Sequence, residues 1–241
     1  MRLLAIIPAY NEEATVGQVV AEIRSAMPDA DVVVINDGSV DSTASGAAAS
    51  GAVVVNLPFN MGIGAAVQAG YRYAEQGDYD IAVQVDGDGQ HNPFEMAAIT
   101  RPVIAGEAEI VVGSRFLGRS DSAGFKSTRM RRIGISLFAR VLSVMTGHTL
   151  TDPTSGFRAC GRKTIRLFAQ EYPDDYPEVE SLLLAHLAGF RISEEPVKMR
   201  ARGGGHSSIT PIKSVYYMIK VMMVLFIWLV RKKPELEARD A

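Results

Sequence analysis

The sequence predicts an α/β fold built on a mostly parallel sheet with helices on both faces. Three observations carry that reading. Short β-branched runs alternate with helix-length segments through the first half of the chain, the runs are apolar almost without interruption, and they feed into polar turns. Strands covered on both faces read as continuous Val/Ile/Leu stretches, and strand–helix alternation is the pattern of βαβ units. At 241 residues and 47% hydrophobic composition, the chain can bury one sizeable core, with room for an appendage.

Strands are expected at residues 3–7, 32–35, 53–55, 81–85 and 110–112, with helices at 14–26, 42–49, 63–75 and 93–105 between them. Right-handed crossovers would set the strand ends Pro8, Asp37, Asn60 and Asp86 along one rim. The second half is less regular. A helix at 129–146 carries an apolar stripe of Ile133, Leu137, Val141 and Val144, and Arg129, Arg131 and Arg132 crowd its start. Arginines there oppose the helix macrodipole, so an anionic partner explains them better than helix stability does. The turn-rich Thr151-Asp152-Pro153-Thr154-Ser155-Gly156-Phe157-Arg158 follows, then a helix at 178–188 and a strand near 191–197. Glu178 and Glu180 open that helix, where acids suit the macrodipole.

The apolar N-terminal run is too short for a signal peptide and meets Asn11-Glu12-Glu13 at once, so it reads as the first strand. A net charge of −2 gives no global attraction to nucleic acid. Cys160 is the only cysteine, which excludes an internal disulfide and fits a reducing cytosolic setting. Residues 214–230 are mostly apolar, with Lys220 their only charge, and Arg231-Lys232-Lys233 closes the run. A spanning helix needs about 20 apolar residues, so a core helix, an interfacial helix and one short span compete. Trp228 beside the basic cluster favours contact with a membrane. Residues 1–210 therefore form the main domain and 211–241 a membrane-associating helix with a polar tail.

The chemistry concentrates in Val83-Gln84-Val85-Asp86-Gly87-Asp88-Gly89-Gln90-His91. Alternation in an extended chain would point Asp86 and Asp88 to the same side at the C-terminal end of a strand, the edge where open α/β sheets bind ligands. Paired carboxylates there suit a divalent cation carrying a diphosphate; a polar turn capping the next helix is the plainer alternative. Asp37 is placed to accept hydrogen bonds from a base or a ribose, Gly38 to admit close backbone approach, and Asp41 or Ser42 to cap the following helix. Asn60-Met61-Gly62-Ile63-Gly64 lacks the spacing of a dinucleotide fingerprint; Gly62 and Gly64 are expected to give tight helix–sheet packing.

In order, Pro8-Ala9-Tyr10-Asn11-Glu12, Asp37-Gly38-Ser39-Val40-Asp41-Ser42-Thr43, Asn60-Met61-Gly62, Asp86-Gly87-Asp88-Gly89-Gln90-His91 and Gly113-Ser114-Arg115 resemble the family-2 glycosyltransferases of GT-A (Rossmann-like) fold. Asp152-Pro153-Thr154-Ser155-Gly156-Phe157-Arg158 and the R-x-x-G-x-S match from Arg202 to Ser207 are similar to the dolichyl- or polyprenyl-phosphate sugar synthases within it. The family commonly has Asp-Ala-Asp where this chain has Asp86-Gly87-Asp88, so both carboxylates are kept. The resemblance implies that Pro8, Tyr10, Glu12 and Asp37 hold the nucleoside and that Asp86 sits at the ribose and diphosphate. It implies Mg²⁺ or Mn²⁺ on Asp88 and Gln90, and Arg115 facing the sugar–phosphate region. Arg132 and Ser136, one helical turn apart, resemble the pair that receives the lipid phosphate, and Arg202 and Ser207 the basic motif that closes over both phosphates.

Catalysis would then rest on Asp86, Asp88, Arg115, Arg132 and Arg202. A polyprenyl phosphate is already an anionic nucleophile, so no strong protein base is needed. The implied reaction is inverting transfer of a sugar to polyprenyl phosphate at the cytoplasmic face of the membrane. Overall similarity leans towards bacterial enzymes of the polyprenyl-phospho-N-acetylgalactosamine type. UDP-GalNAc is thus the first expected donor, followed by UDP-GlcNAc and UDP-glucose, with GDP-mannose also admitted. A soluble acceptor with the tail as an oligomer contact is a second reading. A silent nucleotide-sugar-binding partner of a membrane protein is a third. A small membrane-protein partner would supply anchoring that many relatives carry as two spans; a homo-oligomer is also admitted. His91 is expected near the site but not as a ligand, and His148 and His186 as structural or surface residues; His206 sits inside the basic motif, where a phosphate contact is one option.

Overall fold

From the N-terminus the chain runs through β1 (Leu3–Ala9), α1 (Val16–Ala26), β2 (Asp31–Asn36), α2 (Thr43–Ala49), β3 (Val53–Asn56), α3 (Ile63–Gln76) and β4 (Ile81–Gln84). A 3₁₀ turn at Pro93–Glu95 leads into α4 (Met96–Ile104), then come β5 (Ile110–Ser114), α5 (Arg129–Thr146), β6 (Arg158–Gly161), α6 (Arg162–Gln170), α7 (Pro177–Leu187) and β7 (Ile192–Pro196). This computed structural model describes residues 1–117, 129–174, 177–200 and, in the tail, Lys220, Met223 and Ile227; the side chains of 129–133 lie outside it.

The strands form one sheet in the order β3-β2-β1-β4-β6-β5-β7. All neighbours are parallel except β6, which is antiparallel to both β4 and β5. Strand alternation deals the apolar residues to two cores. Leu4, Ile6, Val33, Ile35 and Ala82 pack with α3, α5, α6 and α7. Ala5, Ile7, Val32, Val34 and Val83 pack with α1 and α4. Both faces are covered, so β1, β2, β4 and β5 are buried almost throughout, as expected for buried parallel strands.

Two details of β1 set the rim. Its ladder with β4 ends at Ile6↔Gln84 while its ladder with β2 continues to Ala9↔Asn36. Ile6 O accepts from Val85 N on the β4 side and Ala9 O from Asp37 N on the β2 side. Pro8 therefore points its missing N–H where the β4 ladder has already stopped, and a proline is tolerated in a central strand. Behind it, a Cβ on Gly70 would lie 2.2 Å from Ile6 Cγ2, so α3 lies directly on β1.

Three expectations change. β6 and α6 were not anticipated, because Ala159-Cys160 between Arg158 and Gly161 is too short an apolar run to register as a strand. β4 ends at Gln84, and Asp86 to Gly89 form a turn with Gly89 at φ +76°, so extended-chain alternation does not orient the two aspartates. Gly70 makes the helix–sheet contact expected of Gly62 and Gly64. Gly62 instead takes φ +93° in open space, and Gly64 faces the Pro173 and Asp174 carbonyls, 2.4 Å from an added Cβ.

Candidate active site

The two turns after β1 and β2 are clasped together by their own polar side chains. Asn11, at φ +54°, donates its N–H to Ser39 Oγ (3.0 Å), and its Oδ1 accepts from Val40 N (3.0 Å). Glu12 N donates to Thr43 Oγ1 (2.8 Å), and Glu13 Oε2 accepts from Ser42 N (3.0 Å). Asp41, not Ser42, caps α2, with Oδ1 accepting from Thr43 N at 3.0 Å. Gly38, at φ +68°, passes so close to the next loop that a Cβ would lie 2.5 Å from the Phe59 carbonyl carbon. Asp37 is buried and spans outward, Oδ1 accepting from Met61 N (2.7 Å) and Oδ2 from Gly62 N (2.9 Å). Its carboxylate thus positions the loop entering α3.

These turns and the one after β4 surround a cavity of about 600 Å³, lined by Pro8, Tyr10, Glu12, Asp37, Asn60, Asp86 and Asp88 among others. Thr15 Oγ1, at the start of α1, donates to Gly87 O (2.7 Å) and ties the first turn to the third. Asp88 Oδ1 accepts from Gln90 N (2.9 Å), closing the Asp88–Gln90 turn on itself. Among the described residues no three His, Cys, Asp or Glu side chains gather at metal spacing. A cation here would be held by one or two carboxylates and completed by diphosphate oxygens, which is how Mg²⁺ and Mn²⁺ bind nucleotides. The donor set fits that ion.

Asp86 is held from several sides. Its N–H donates to His91 Nδ1 (2.9 Å), and His91 Nε2 lies 3.5 Å from its Oδ2. Gln84 Nε2 is 3.4 Å from Oδ1. An added Cβ on Gly156 would sit 3.3 and 3.4 Å from the two carboxylate oxygens, so the 152–158 loop forms the wall behind them. His91 is buried, stacked on Phe157 at 5.0 Å, and burial pushes its pKa down to about 4.

The 152–158 loop is braced by buried charge. Asp152 is fully buried and takes a bidentate pair from Arg115, Nε–Oδ2 2.6 Å and Nη2–Oδ1 2.7 Å, plus Arg115 N at 3.0 Å. Glu194 accepts from Thr151 and Asp152 N–H groups, and burial pushes its carboxyl above the usual range. Arg158, 1% exposed, donates to the Ser155, Pro153 and Glu178 carbonyls and to Ser181 Oγ. Burial raises the Glu178 pKa, Arg158 opposes that, and the charge of Asp86 adds to it.

Arg115, expected in the sugar–phosphate region, is thus buried against Asp152 and does not line the cavity. Gln90 follows Asp88 at the cavity, its carbonyl accepting from Arg200 N at 2.9 Å, so Arg200 lies alongside this turn. Ser136 is exposed on α5 and lines a second, apolar cleft of about 680 Å³ with Phe116, Arg140, Val144 and Leu150. The side chain of Arg132, and Arg202, His206 and Ser207 altogether, lie outside the described residues. Among those described, no helix is long and apolar enough to cross a membrane. In the tail, Lys220, Met223 and Ile227 are helical, and the two apolar residues are exposed.

A family model described as glycosyl transferase family 2 matches residues 4–168. The chain belongs to glycosyltransferase family 2. Among its relatives, the undecaprenyl-phosphate mannosyltransferase of Micrococcus luteus is 32% identical over 87% of this chain and 88% of its own. The polyprenol monophosphomannose synthase of Mycolicibacterium smegmatis is 29% identical over 91% and 85%. The UDP-N-acetylglucosamine–dolichyl-phosphate N-acetylglucosaminyltransferase of Methanococcus voltae is 28% identical over 80% and 83%. The fold matches Mycobacterium tuberculosis glucosyl-3-phosphoglycerate synthase, solved with Mn²⁺, UDP-glucose and phosphoglyceric acid. That likeness has a TM-score of 0.72 at 23% identity over 96% of this chain and 80% of that one.

In this glycosyltransferase the roles missed by sequence reasoning are those of the residues that brace the Asp86–Gly89 turn and the loop behind it: Thr15, Gly156, Asp152 and Glu194. Only the Asp152–Arg158 motif gave a signal, and as turn-rich chain it did not say what it would touch.

Proposed function

We propose that this glycosyltransferase moves a sugar from a nucleotide-sugar to polyprenyl phosphate at the cytoplasmic membrane surface, with inversion. The observation that supports it best is the single cavity collecting Pro8, Tyr10, Glu12 and Asp37 with Asp86 and Asp88. Pro8, Tyr10 and Glu12 would take the nucleoside, the loop held by Asp37 would close its side, and Asp86 would face ribose and diphosphate. Asp88, with Gln90, would hold Mg²⁺ or Mn²⁺, which when bound supplies charge neutralisation for the departing nucleoside diphosphate. The acceptor phosphate is anionic before it arrives, so the protein's task is alignment. Ser136 with Arg132 on α5, and Arg202 with Ser207 beyond Arg200, are the residues we assign to it. The phosphate oxygen attacks the anomeric carbon as the nucleoside diphosphate leaves on the opposite face.

Relatives named for mannose, N-acetylglucosamine and hexose transfer to lipid phosphates support the acceptor class. For the donor we place UDP-GalNAc first, then UDP-GlcNAc, UDP-glucose and GDP-mannose. Residues 211–241 serve as the membrane-associating helix. The test is transfer of label from that panel into solvent-extractable polyprenyl phosphate, with and without Mn²⁺ or Mg²⁺, alongside Asp88→Asn. Metal-dependent lipid labelling, lost in the variant, is the expected result. Labelling of a soluble phosphorylated acceptor alone would overturn the lipid assignment.

A further inference from the structure

We infer that His91 is the positioning residue of the donor site: its Nδ1 holds the Asp86 N–H and so fixes the peptide plane that carries Asp86 into its turn. The inference rests on the donor-site reading above and adds a residue that reading does not use. Asp86 N can only donate, so Nδ1 of His91, 2.9 Å away, is the acceptor and carries no proton. The ring proton then belongs to Nε2, the atom 3.5 Å from Asp86 Oδ2. At 3.5 Å that second contact is long for a hydrogen bond, so the ring's hold is on the Asp86 N–H, and the peptide plane entering the turn cannot rotate without losing it and changing how the carboxylate meets the cavity.

The ring itself has little freedom. It is 4% exposed and stacks on Phe157 at 5.0 Å and 24°, and Phe157 is fully buried behind the Gly156 wall. Asp88, Asp152 and Arg115 are the charged groups that act on it. His91 does not line the cavity. It acts through Asp86, in the way that groups behind a metal site orient those in front.

The test uses the full chain and three variants. His91→Asn puts an amide oxygen near the position of Nδ1 and keeps the acceptor. His91→Gln keeps polarity and bulk but moves the amide towards Nε2, and His91→Leu removes both contacts. The probes are long-range ¹H–¹⁵N spectra of the free wild type at neutral pH and calorimetric titration of UDP with and without Mn²⁺. The expected results are an unprotonated Nδ1, Mn²⁺-dependent UDP affinity close to wild type in His91→Asn, and loss of about 10- to 100-fold in His91→Gln and His91→Leu. Metal-free UDP binding should move much less, because a general folding defect would lower both. A proton on Nδ1, or equal losses in His91→Asn and His91→Gln, overturns the inference while leaving the donor site intact. A wild type without Mn²⁺-dependent UDP binding overturns the donor-site reading itself, and the positioning role with it; His91→Gln keeps the question answerable where His91→Leu does not fold.

Discussion

The two halves of the sheet build their share of the rim by opposite means. From β3 to β4, apart from the buried Asp37, turns are shaped by backbone conformation and by short polar side chains that bond across at the surface, as Asn11 does to Ser39 and Val40. From β6 to β7, the 152–158 loop is held by buried charges, with Asp152 and Arg158 at 0% and 1% exposure. The first design leaves side chains available to a ligand and suits a surface that must meet several chemical groups. The second spends its charges internally and suits a wall that must not move. Asp86 lies where they meet, bonded to His91 on one side and abutted by Gly156 on the other.

The largest effect expected from breaking this contrast is on turnover. Asp88→Asn, on the ligand-facing side, should lower lipid labelling by about 100-fold or more with little change in thermal stability. Arg115→Met, on the braced side, should do the reverse first. It strands the buried Asp152 carboxylate, and loss of one partner from a buried pair costs about 3–5 kcal/mol. Urea denaturation measures that loss, and Arg115→Met with Asp152→Leu should recover much of it. Unchanged stability in Arg115→Met together with a large loss of transfer would show that Arg115 serves substrate and not the brace.

Smaller effects sharpen the comparison. Gly70→Ala forces a methyl against Ile6 and should cost about 1–3 kcal/mol by overpacking, visible as a lower denaturation midpoint. The pH dependence of stability is subtler. Burial lowers the His91 pKa from 6.5 to about 4, so between those values the unfolded chain binds the proton first. The stability linked to neutral His91 is complete above about pH 6.5 and is lost as pH falls towards about 4. Wild type should therefore lose stability with a slope steeper than His91→Asn by up to about one proton, read from urea titrations across that range.

Most of the parallel half was legible because its signals are local. A continuous Val/Ile run, a turn with Asp and Gly, and a helix-length segment each sit within a few residues, and Leu3–Ala9, Asp31–Asn36 and Ile81–Gln84 followed from them. The metal-type aspartates were legible as residue types but not as geometry, since Val85 leaves the strand before Asp86. β6 was invisible because an antiparallel strand of four residues with an arginine at its head has no periodicity to read. The Arg115 pairing was illegible for a related reason: a surface-type residue gives no local sign of a buried partner at Asp152, which comes from another segment.

The antiparallel insertion also orders events in time. β4 pairs with β1 on one side, but its other neighbour is β6, which begins only at Arg158. While the chain is being synthesised, Ile81-Ala82-Val83-Gln84 is an open, apolar edge of a sheet whose inner strands are already made, a template for pairing with other chains. The cell must carry that edge until the brace arrives, so substitutions in β6 should be read first in the yield of soluble protein and only then in the rate of the enzyme that survives.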